Sequence, residues 1–272
     1  MRTGIVQLEA DHPGFNDPEY RRRRDEIALL AREHDPGDPI PVVEYTEAET
    51  RTWATVFREL NRLFPTHACR EYNDALALMG FSEDRIPQLA EVDRILAERT
   101  GFRIWPVEGL VEPRDFFDAL ARRVFPATQY IRHHSVPHYT PEPDTIHDQI
   151  GHVPMLAIRE YADLTQKIGE GAHGATDDQI AQLARLYWYT IEFGVVRQDG
   201  ELRCYGAGIL SSYGEMARAV RAEEPEIRRF DPEQARWIDY PITRYQPILW
   251  EVDSIGEAFE MVARAVETIR AG

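Results

Sequence analysis

The chain has 272 residues, 43% of them hydrophobic and 10% aromatic, which is enough to bury a sizeable core and excludes a disordered chain. Its 31 basic and 47 acidic residues give a formal net charge of -16, which disfavours nucleic acid and anionic membranes as partners. The two cysteines form neither a disulfide framework nor a zinc-binding spacing, and no apolar run reaches the roughly 18 residues of a membrane span. We therefore expect a cytoplasmic protein.

The first forty residues are predicted to hold one helix between irregular segments. Residues 1–15 are rich in Gly, Pro and Asp and are predicted to form an irregular N-terminal arm. The basic run Arg21–Arg24 opens an amphipathic stretch that ends near Glu33, where a solvated helix face is favoured over a nucleic-acid contact. Residues 35–41 carry three prolines and are predicted to form a loop.

Helix start and stop residues become regular after this loop. Thr46 and Glu49 have the spacing of a capping box, and Pro65 is predicted to end the helix that they begin. Three further helices are predicted at about 67–79, 87–101 and 113–126, and short extended pieces at 102–107 and 128–132. Residues 133–143 are polar and proline-rich, so a long loop is expected there.

The second half of the chain adds helices and one hairpin. Thr176 and Gln179 cap a helix that ends at Gly194, and residues 195–205 turn at Asp199–Gly200 as a hairpin. Two more helices begin at serine caps, with an extended piece at 242–252 between them. Together these elements predict a mainly α fold with a few short β-strands, and a single domain over residues 16–272.

Two histidines are candidate metal ligands. Asp144 suits an N-cap, so His147 is expected in the first turn of a short helix, with His152 five residues later. In an ideal α-helix such residues differ by about 140° around the axis, so their side chains are not stacked. Taken alone, the pair fits a metal site and two ordinary core or surface histidines equally well.

Glu192 is the candidate third ligand. It lies at the end of a helix among aromatic residues, where the helix dipole and burial both disfavour a carboxylate unless a cation is near. Either an arginine or a metal would supply that cation. Two imidazoles and one carboxylate suit ferrous iron with open coordination positions, and zinc accepts similar ligands in hydrolases.

The chain resembles the pterin-dependent aromatic amino acid hydroxylases, which act on phenylalanine, tyrosine or tryptophan. The resemblance runs from about Asn16 to the last helix and implies a single catalytic domain of that family's type. Its ordered motifs are Asn16–Tyr20, Thr66–Cys69, Glu71–Asn73, Ile86–Leu89, Arg114–Phe116, Thr128–His133, Tyr139–Asp144, Gly151–Pro154, Glu192–Gly194, Tyr205–Gly208 and Leu210–Ser212.

The resemblance also implies a role for individual residues. It gives Fe(II) the ligands His147, His152 and Glu192. It implies that Arg132 binds the substrate's carboxylate and that Thr140 and Ser211 assist in holding the amino acid. Pro143 and Trp188 are implied to form walls of the pocket for its ring. A tetrahydropterin, tetrahydrobiopterin or a relative, is implied to stack on Phe116 and to contact Gly109 and Leu110. Asp148 stands beside the first histidine, where animal members commonly have glutamate.

The implied reaction is ring hydroxylation of free L-phenylalanine to L-tyrosine with O2. Trp188 matches members that act on phenylalanine or tyrosine, and Ile242 stands where tyrosine hydroxylases place an aspartate. Tyrosine, tryptophan and meta-hydroxylation stay open as alternatives. More remote alternatives are a zinc-dependent hydrolase and a non-catalytic amino-acid-binding module. Because about fifteen residues precede the resemblance and one ordinary helix ends it, we expect a monomer.

Overall fold

The computed structural model describes residues 6, 8–34, 37–138, 140–221 and 225–272. Parts of the predicted arm (1–5 and 7) and loop (35 and 36), and Tyr139 of the quoted motifs, lie outside the described residues. The chain is mainly helical with a few short strands, as predicted. The α-helices are α1 Pro18–Arg32, α2 Glu47–His67, α3 Arg70–Met79, α4 Leu89–Arg99, α5 Pro113–Ala121, α6 Val153–Leu156, α7 Arg159–Gly171, α8 Asp177–Tyr187, α9 Ala207–Leu210, α10 Tyr213–Ala219, α11 Pro232–Ala235 and α12 Ile255–Ala271.

The strands form two small sheets. Their bounds are β1 Arg103–Val107, β2 Val124–Thr128, β3 Gly194–Gln198, β4 Glu201–Cys204, β5 Glu226–Arg229 and β6 Ile248–Val252. Strands β1 and β2 pair in parallel, and the other four have the order β4-β3-β6-β5. The predicted hairpin is confirmed as β3–β4, with positive φ at Asp199 (54°) and Gly200 (81°), as a tight two-residue turn requires.

The helix caps confirm several predicted starts. Thr46 and Glu49 form both bonds of a capping box, and Thr176 and Gln179 form another. Pro65, however, does not end α2, which continues to His67. A proline in the last turn removes only one backbone hydrogen bond, and the buried neighbour Phe64 holds this turn against the core.

The segment after α5 differs most from the prediction. Helix α5 ends at Ala121 instead of near Pro126, and residues 124–128 form β2, while 129–132 lie beyond the strand. Residues 124–128 form a strand because they pair in parallel with β1, from Arg103↔Val124 onward. The predicted strand at 242–252 likewise shortens to β6.

One hydrophobic core extends from Trp53 to Ile269 in sequence. A smaller cluster of Ile27, Val43 and Tyr130 holds α1 against the rest. In the part of the chain that the structure describes, no helix has the length and apolar character needed to cross a bilayer. The chain segments around residues 150 and 190 contribute to the large core, and most of their polar side chains, among them Gln149, His152 and Glu192, are buried.

Candidate metal and active site

Two π-helices carry the three predicted metal ligands. The first spans His147–His152 and the second Trp188–Glu192, where the sequence predicted ordinary α-helix. Each is closed by a hydrogen bond from an amide to the carbonyl five residues earlier, Val153 to Asp148 and Phe193 to Trp188. Such a wider turn brings residues five apart onto nearly the same face. His147 and His152 therefore point to one side, which an ideal α-helix would not allow.

The donor atoms of the three residues converge on one point. The Nε2 atoms of His147 and His152 are 3.1 Å apart. Glu192 places Oε1 3.1 Å from His152 Nε2 and Oε2 3.6 Å from His147 Nε2. Ligands that bind one metal at about 2.1 Å and at right angles are about 3.0 Å apart. These three residues, called the three-ligand cluster below, thus have the spacing of one face of a metal's coordination sphere.

The charges in the cluster also fit a cation. Burial alone would raise the pKa of Glu192, but the nearby imidazole of His152, the hydrogen bond from His152 and the Tyr187 hydroxyl hold the pKa below its usual value. Burial lowers the pKa of His147 to about 4, so this imidazole is neutral near pH 7. A buried carboxylate beside a neutral imidazole is stabilised by a cation between them.

Outer residues orient the cluster. Ser211 donates its hydroxyl hydrogen to the Ala207 carbonyl (2.7 Å), so its oxygen accepts from His147 Nδ1 (2.9 Å). The proton of His147 is therefore on Nδ1, and Nε2 presents a lone pair to the cluster. Beside it, both the amide and the hydroxyl of Thr128 donate to Asp148 at 2.7 Å, and burial raises the pKa of Asp148 to about 7.

Arg132 is held by the carboxylate of Asp144, which the sequence predicted only as a helix cap. Its Nε and Nη2 donate to the two oxygens of Asp144 at 2.9 and 2.7 Å, and both side chains are buried. Burial would raise the pKa of Asp144, but the guanidinium of Arg132 holds it below the usual value. Asp144 also accepts the backbone amide of His147 at 3.1 Å, so one carboxylate joins Arg132 to the three-ligand cluster.

A cavity of about 250 Å³ opens above the cluster. This central cavity is mostly apolar, and most of the predicted site residues line it: Gly109, Leu110, Phe116, Pro143, His147, Asp148, His152, Trp188 and Glu192. Four predicted residues are not in its lining: Arg132, Thr140, Ser211 and Ile242. Thr140 donates to the Glu142 carbonyl at 2.6 Å, and Ile242 is 73% exposed.

Several residues of the site were not predicted from the sequence, and Tyr187, Tyr240 and Gln246 are the ones that contact the ring-pocket wall Trp188. Tyr187 lines the cavity next to Trp188, and Tyr240 stacks on the Trp188 ring with centroids 4.0 Å apart and planes 9° apart. Gln246 accepts the indole N–H of Trp188 at 2.9 Å. Tyr187 could have been found as a neighbour in the aromatic run, whereas Tyr240 and Gln246 come from a distant segment that carries no motif.

Gly206 makes room for the second π-helix. A Cβ added at this position would lie 2.4 Å from the Glu192 carbonyl oxygen and 2.5 Å from the Gly194 nitrogen. Both contacts are with backbone atoms, which cannot move without shifting Glu192. The absence of a side chain here therefore sets the position of the carboxylate.

The family model described as biopterin-dependent aromatic amino acid hydroxylase matches residues 3–271. Among curated proteins, the chain is 48% identical to protein henna of Drosophila melanogaster and covers 59% of it, using 97% of its own length. It is 51% identical to tyrosine 3-monooxygenase of Bos taurus, covering 52% of that protein with 92% of this chain. It is 47% identical to phenylalanine-4-hydroxylase of Bos taurus, covering 59% of that protein with 97% of this chain. The chain thus spans about half to three-fifths of the length of these relatives.

Solved structures of bacterial enzymes are also similar. Phenylalanine hydroxylase from Colwellia psychrerythraea 34H aligns with a TM-score of 0.81 and 32% identity, over 88% of this chain and 92% of that chain. Phenylalanine hydroxylase from Chromobacterium violaceum, with bound oxidised Fe(III), aligns with a TM-score of 0.82 and 33% identity, over 88% of each chain.

Proposed function

Since this chain belongs to the biopterin-dependent aromatic amino acid hydroxylases, we propose that it is an iron- and tetrahydropterin-dependent monooxygenase that converts free L-phenylalanine to L-tyrosine with O2. The observation that carries the proposal is the convergence of His147, His152 and Glu192 at 3.1–3.6 Å beneath an apolar cavity. Iron and a reduced pterin, when bound, would supply the activation of O2. Two imidazoles and a carboxylate on one face leave positions open for that chemistry.

Arg132 is proposed to bind the substrate's carboxylate. A guanidinium has five N–H donors. Three are engaged, two by Asp144 and one by the Pro137 carbonyl at 3.3 Å. The remaining two lie on the Nη1 and Nη2 edge, where a carboxylate can accept both. Because Asp144 fixes the guanidinium plane, the substrate would meet an oriented fork.

Ser211 and Thr140 are proposed to assist in binding the amino acid. The Ser211 hydroxyl donates its hydrogen to the Ala207 carbonyl and its oxygen accepts from His147, which leaves one lone pair for the substrate's ammonium group. Thr140 turns its hydroxyl toward the Glu142 carbonyl and so supports the loop that carries Pro143. In this arrangement Ser211 serves both the metal ligand and the substrate.

The pterin is proposed to lie against the wall formed by Phe116, Gly109 and Leu110. Phe116 is half-buried and meets Tyr187 edge to face, with centroids 5.3 Å apart and planes at 88°. No atom lies within 4 Å of a Cβ built on Gly109, so a flat ring system has access to the backbone there. Asp148, with its raised pKa, would offer a hydrogen-bonding group on the same side.

The ring pocket favours phenylalanine over tyrosine. Its walls Pro143 and Trp188 present carbon to the substrate, because the indole N–H of Trp188 is already donated to Gln246. A tyrosine hydroxyl buried without a partner there would cost roughly 1–3 kcal/mol, which is about a fivefold to hundredfold loss in selectivity. Ile242 offers no hydrogen bond either, and its exposed position means that it would act only if its loop closed over the substrate.

The proposal is tested by product identification with each aromatic acid. Enzyme loaded anaerobically with Fe(II) and supplied with tetrahydrobiopterin and O2 should give the highest kcat/KM with phenylalanine, and chromatography should identify para-tyrosine. Faster turnover of tyrosine or tryptophan, or meta-tyrosine as product, would refute the assignment. Metal-dependent hydrolysis with Zn(II) and no pterin-dependent oxygen uptake would favour the zinc hydrolase instead.

Two expectations about the whole chain stay predictions. Residues 16–272 are proposed to form one catalytic domain, which agrees with the single large core from Trp53 to Ile269. A monomer is expected, with a hyperbolic response to phenylalanine. Light scattering that gave the mass of a dimer or tetramer, or a Hill coefficient clearly above one, would contradict it.

A further inference from the structure

A second group of metal-ligand side chains lies at the start of α1. The Oδ2 atom of Asp17 is 3.1 Å from Nε2 of His133, and a donor atom of His134 lies within 4.8 Å of both. Two ligands that bind one zinc ion at about 2.1 Å and at the tetrahedral angle are about 3.4 Å apart. The Asp17–His133 pair therefore already has nearly the separation that a shared cation needs.

Hydrogen bonds outside the pair orient both ligands. Oδ1 of Asp17 accepts the backbone amides of Glu19 (2.9 Å) and Tyr20 (3.0 Å) as the N-cap of α1, which leaves Oδ2 for His133. On the other ring nitrogen, Nδ1 of His133 lies 2.7 Å from the Ser135 hydroxyl oxygen and accepts a longer bond from the Ser135 amide at 3.3 Å. Metal-binding histidines and carboxylates commonly have such second partners, which fix the direction of the ligand atom.

One histidine of the group is buried and the other is exposed to solvent, so an ion could reach the group from the surface. His133 is buried, and the ring of Tyr20 packs edge-on against it at 5.0 Å. His134 is exposed, with its ring 4.4 Å from that of His133, so it can rotate to complete the set from the solvent side. Two imidazoles and one carboxylate with water in the remaining position are ligands that Zn²⁺ and similar divalent transition metals accept.

We propose that Asp17, His133 and His134 form a second metal site, distinct from the three-ligand cluster, for a divalent cation of the zinc class. On binding, the ring proton of His133 moves from Nε2 to Nδ1, where the Ser135 hydroxyl oxygen accepts it, so that Nε2 of His133 and Oδ2 of Asp17 can both ligate the ion. The ion joins the first turn of α1 to the residues that directly follow Arg132. The Tyr20 hydroxyl donates to the Ile131 carbonyl at 3.0 Å, so the ion reinforces an existing contact.

Counting bound metal tests this proposal independently of the proposed reaction. The full chain and its variants are dialysed against the same buffered Zn²⁺. The number of zinc ions bound per chain is then measured by elemental mass spectrometry. His134→Ala should bind one ion fewer than the unsubstituted chain. His138→Ala is the matched control, because His138 is also exposed and pairs with Glu59 at 3.4 Å outside the group. It should bind the full number.

Asp17→Asn separates ligation from helix capping. Asparagine caps helices about as well as aspartate, so α1 should keep its circular dichroism and the melting temperature should change little. Zinc affinity at the second site should fall about tenfold or more, since even outer partners of a metal contribute this much. Equal zinc content in the unsubstituted chain and His134→Ala, or unchanged affinity in Asp17→Asn, would show that Asp17 and His133 form a hydrogen bond only, and the proposal would be wrong.

Discussion

Ser211 determines which nitrogen of His147 faces the three-ligand cluster. Its hydroxyl hydrogen is committed to the Ala207 carbonyl, so its oxygen accepts the Nδ1 proton of His147. Ser211→Ala removes that acceptor and lets the imidazole change tautomer or rotate. Because outer partners of metal ligands contribute tenfold to a hundredfold, we expect Fe(II) affinity to fall by about that factor. Isothermal titration with Fe(II) under anaerobic conditions measures it.

The matched control is Ser254→Ala, which removes a serine that caps α12 and is not part of the three-ligand cluster. Ser254 accepts the Glu257 amide at 3.0 Å, so its loss should lower stability without changing Fe(II) affinity. If both variants bound iron as tightly as the unsubstituted chain, the tautomer role of Ser211 would be wrong.

Glu215 makes stability depend on pH. It is buried, and burial raises its pKa from 4.5 to about 7, although the amide of Gln246 donates to it at 2.9 Å. Between these two values the folded chain holds a proton that the unfolded chain has lost. The free energy of unfolding therefore falls as pH rises from about 5 to about 7, and the carboxylate destabilises the fold above that.

Glu215→Gln should remove this dependence, because the amide oxygen still accepts the Gln246 N–H but carries no charge. The variant should gain stability relative to the unsubstituted chain as pH rises, by up to about 3 kcal/mol between pH 5 and pH 8. Urea unfolding of both proteins at each pH measures the gap. A gap that stayed constant would mean that Glu215 is ionised with an ordinary pKa in the folded chain.

At the scale of elements, the segment between α11 and β6 folds around the side chain of Gln246. This side chain is buried, donates to the Pro241 carbonyl at 2.9 Å and accepts from Trp188 at 2.9 Å. It thus joins the loop that carries Ile242 to a wall of the ring pocket. Gln246→Met keeps the volume but removes both bonds, and leaves the Trp188 N–H unpaired.

We expect Gln246→Met to loosen the Trp188 wall. The KM for phenylalanine should rise severalfold, and less tyrosine should form per pterin oxidised, because a mobile ring is positioned less well. The ratio of tyrosine to oxidised pterin, read by chromatography and absorbance, is the measurement. Gln234→Met, on the exposed face of α11, is the control and should leave the ratio unchanged. An unchanged ratio of tyrosine to oxidised pterin in Gln246→Met would show that Gln246 does not position the Trp188 ring.

Local chemistry made much of the element pattern predictable. The capping boxes at Thr46 and Thr176 and the Asp199–Gly200 turn are set by neighbours in sequence, and all three occur as expected. The two π-helices were not predicted, because one extra residue in a turn leaves no mark in hydrophobic periodicity. Strand β2 was misplaced because its parallel partner β1 lies about twenty residues earlier.

The same contrast holds within the site. The three candidate metal ligands could be proposed from the family resemblance, whereas the spacing of the two histidines alone left the choice open. The partners that orient them could not, because Asp144 to Arg132, Asp148 to Thr128 and Ser211 to His147 are contacts between separate segments. The cavity lining also depends on how segments pack, which is why Ile242 proved exposed.

At the scale of the whole molecule, the cluster lies within the large core, so metal binding and folding are coupled. Two buried π-helices from distant parts of the chain supply the ligands, and a bound cation joins them. A ligand that binds only the folded state stabilises it by mass action. Saturating Fe(II) should therefore raise the melting temperature by several degrees, a chelator should reverse the rise, and Glu192→Gln should show little of it.

The most direct test of the central claim, that these three side chains hold the iron that supports ring hydroxylation, is the isotope content of the product. Fe(II)-loaded enzyme is incubated with tetrahydrobiopterin and phenylalanine under ¹⁸O₂, and the tyrosine formed is analysed by mass spectrometry. Tyrosine carrying one atom of oxygen-18, formed by the unsubstituted chain and lost in Glu192→Gln, is the predicted result. Unlabelled tyrosine, or equal labelled product from Glu192→Gln, would contradict it.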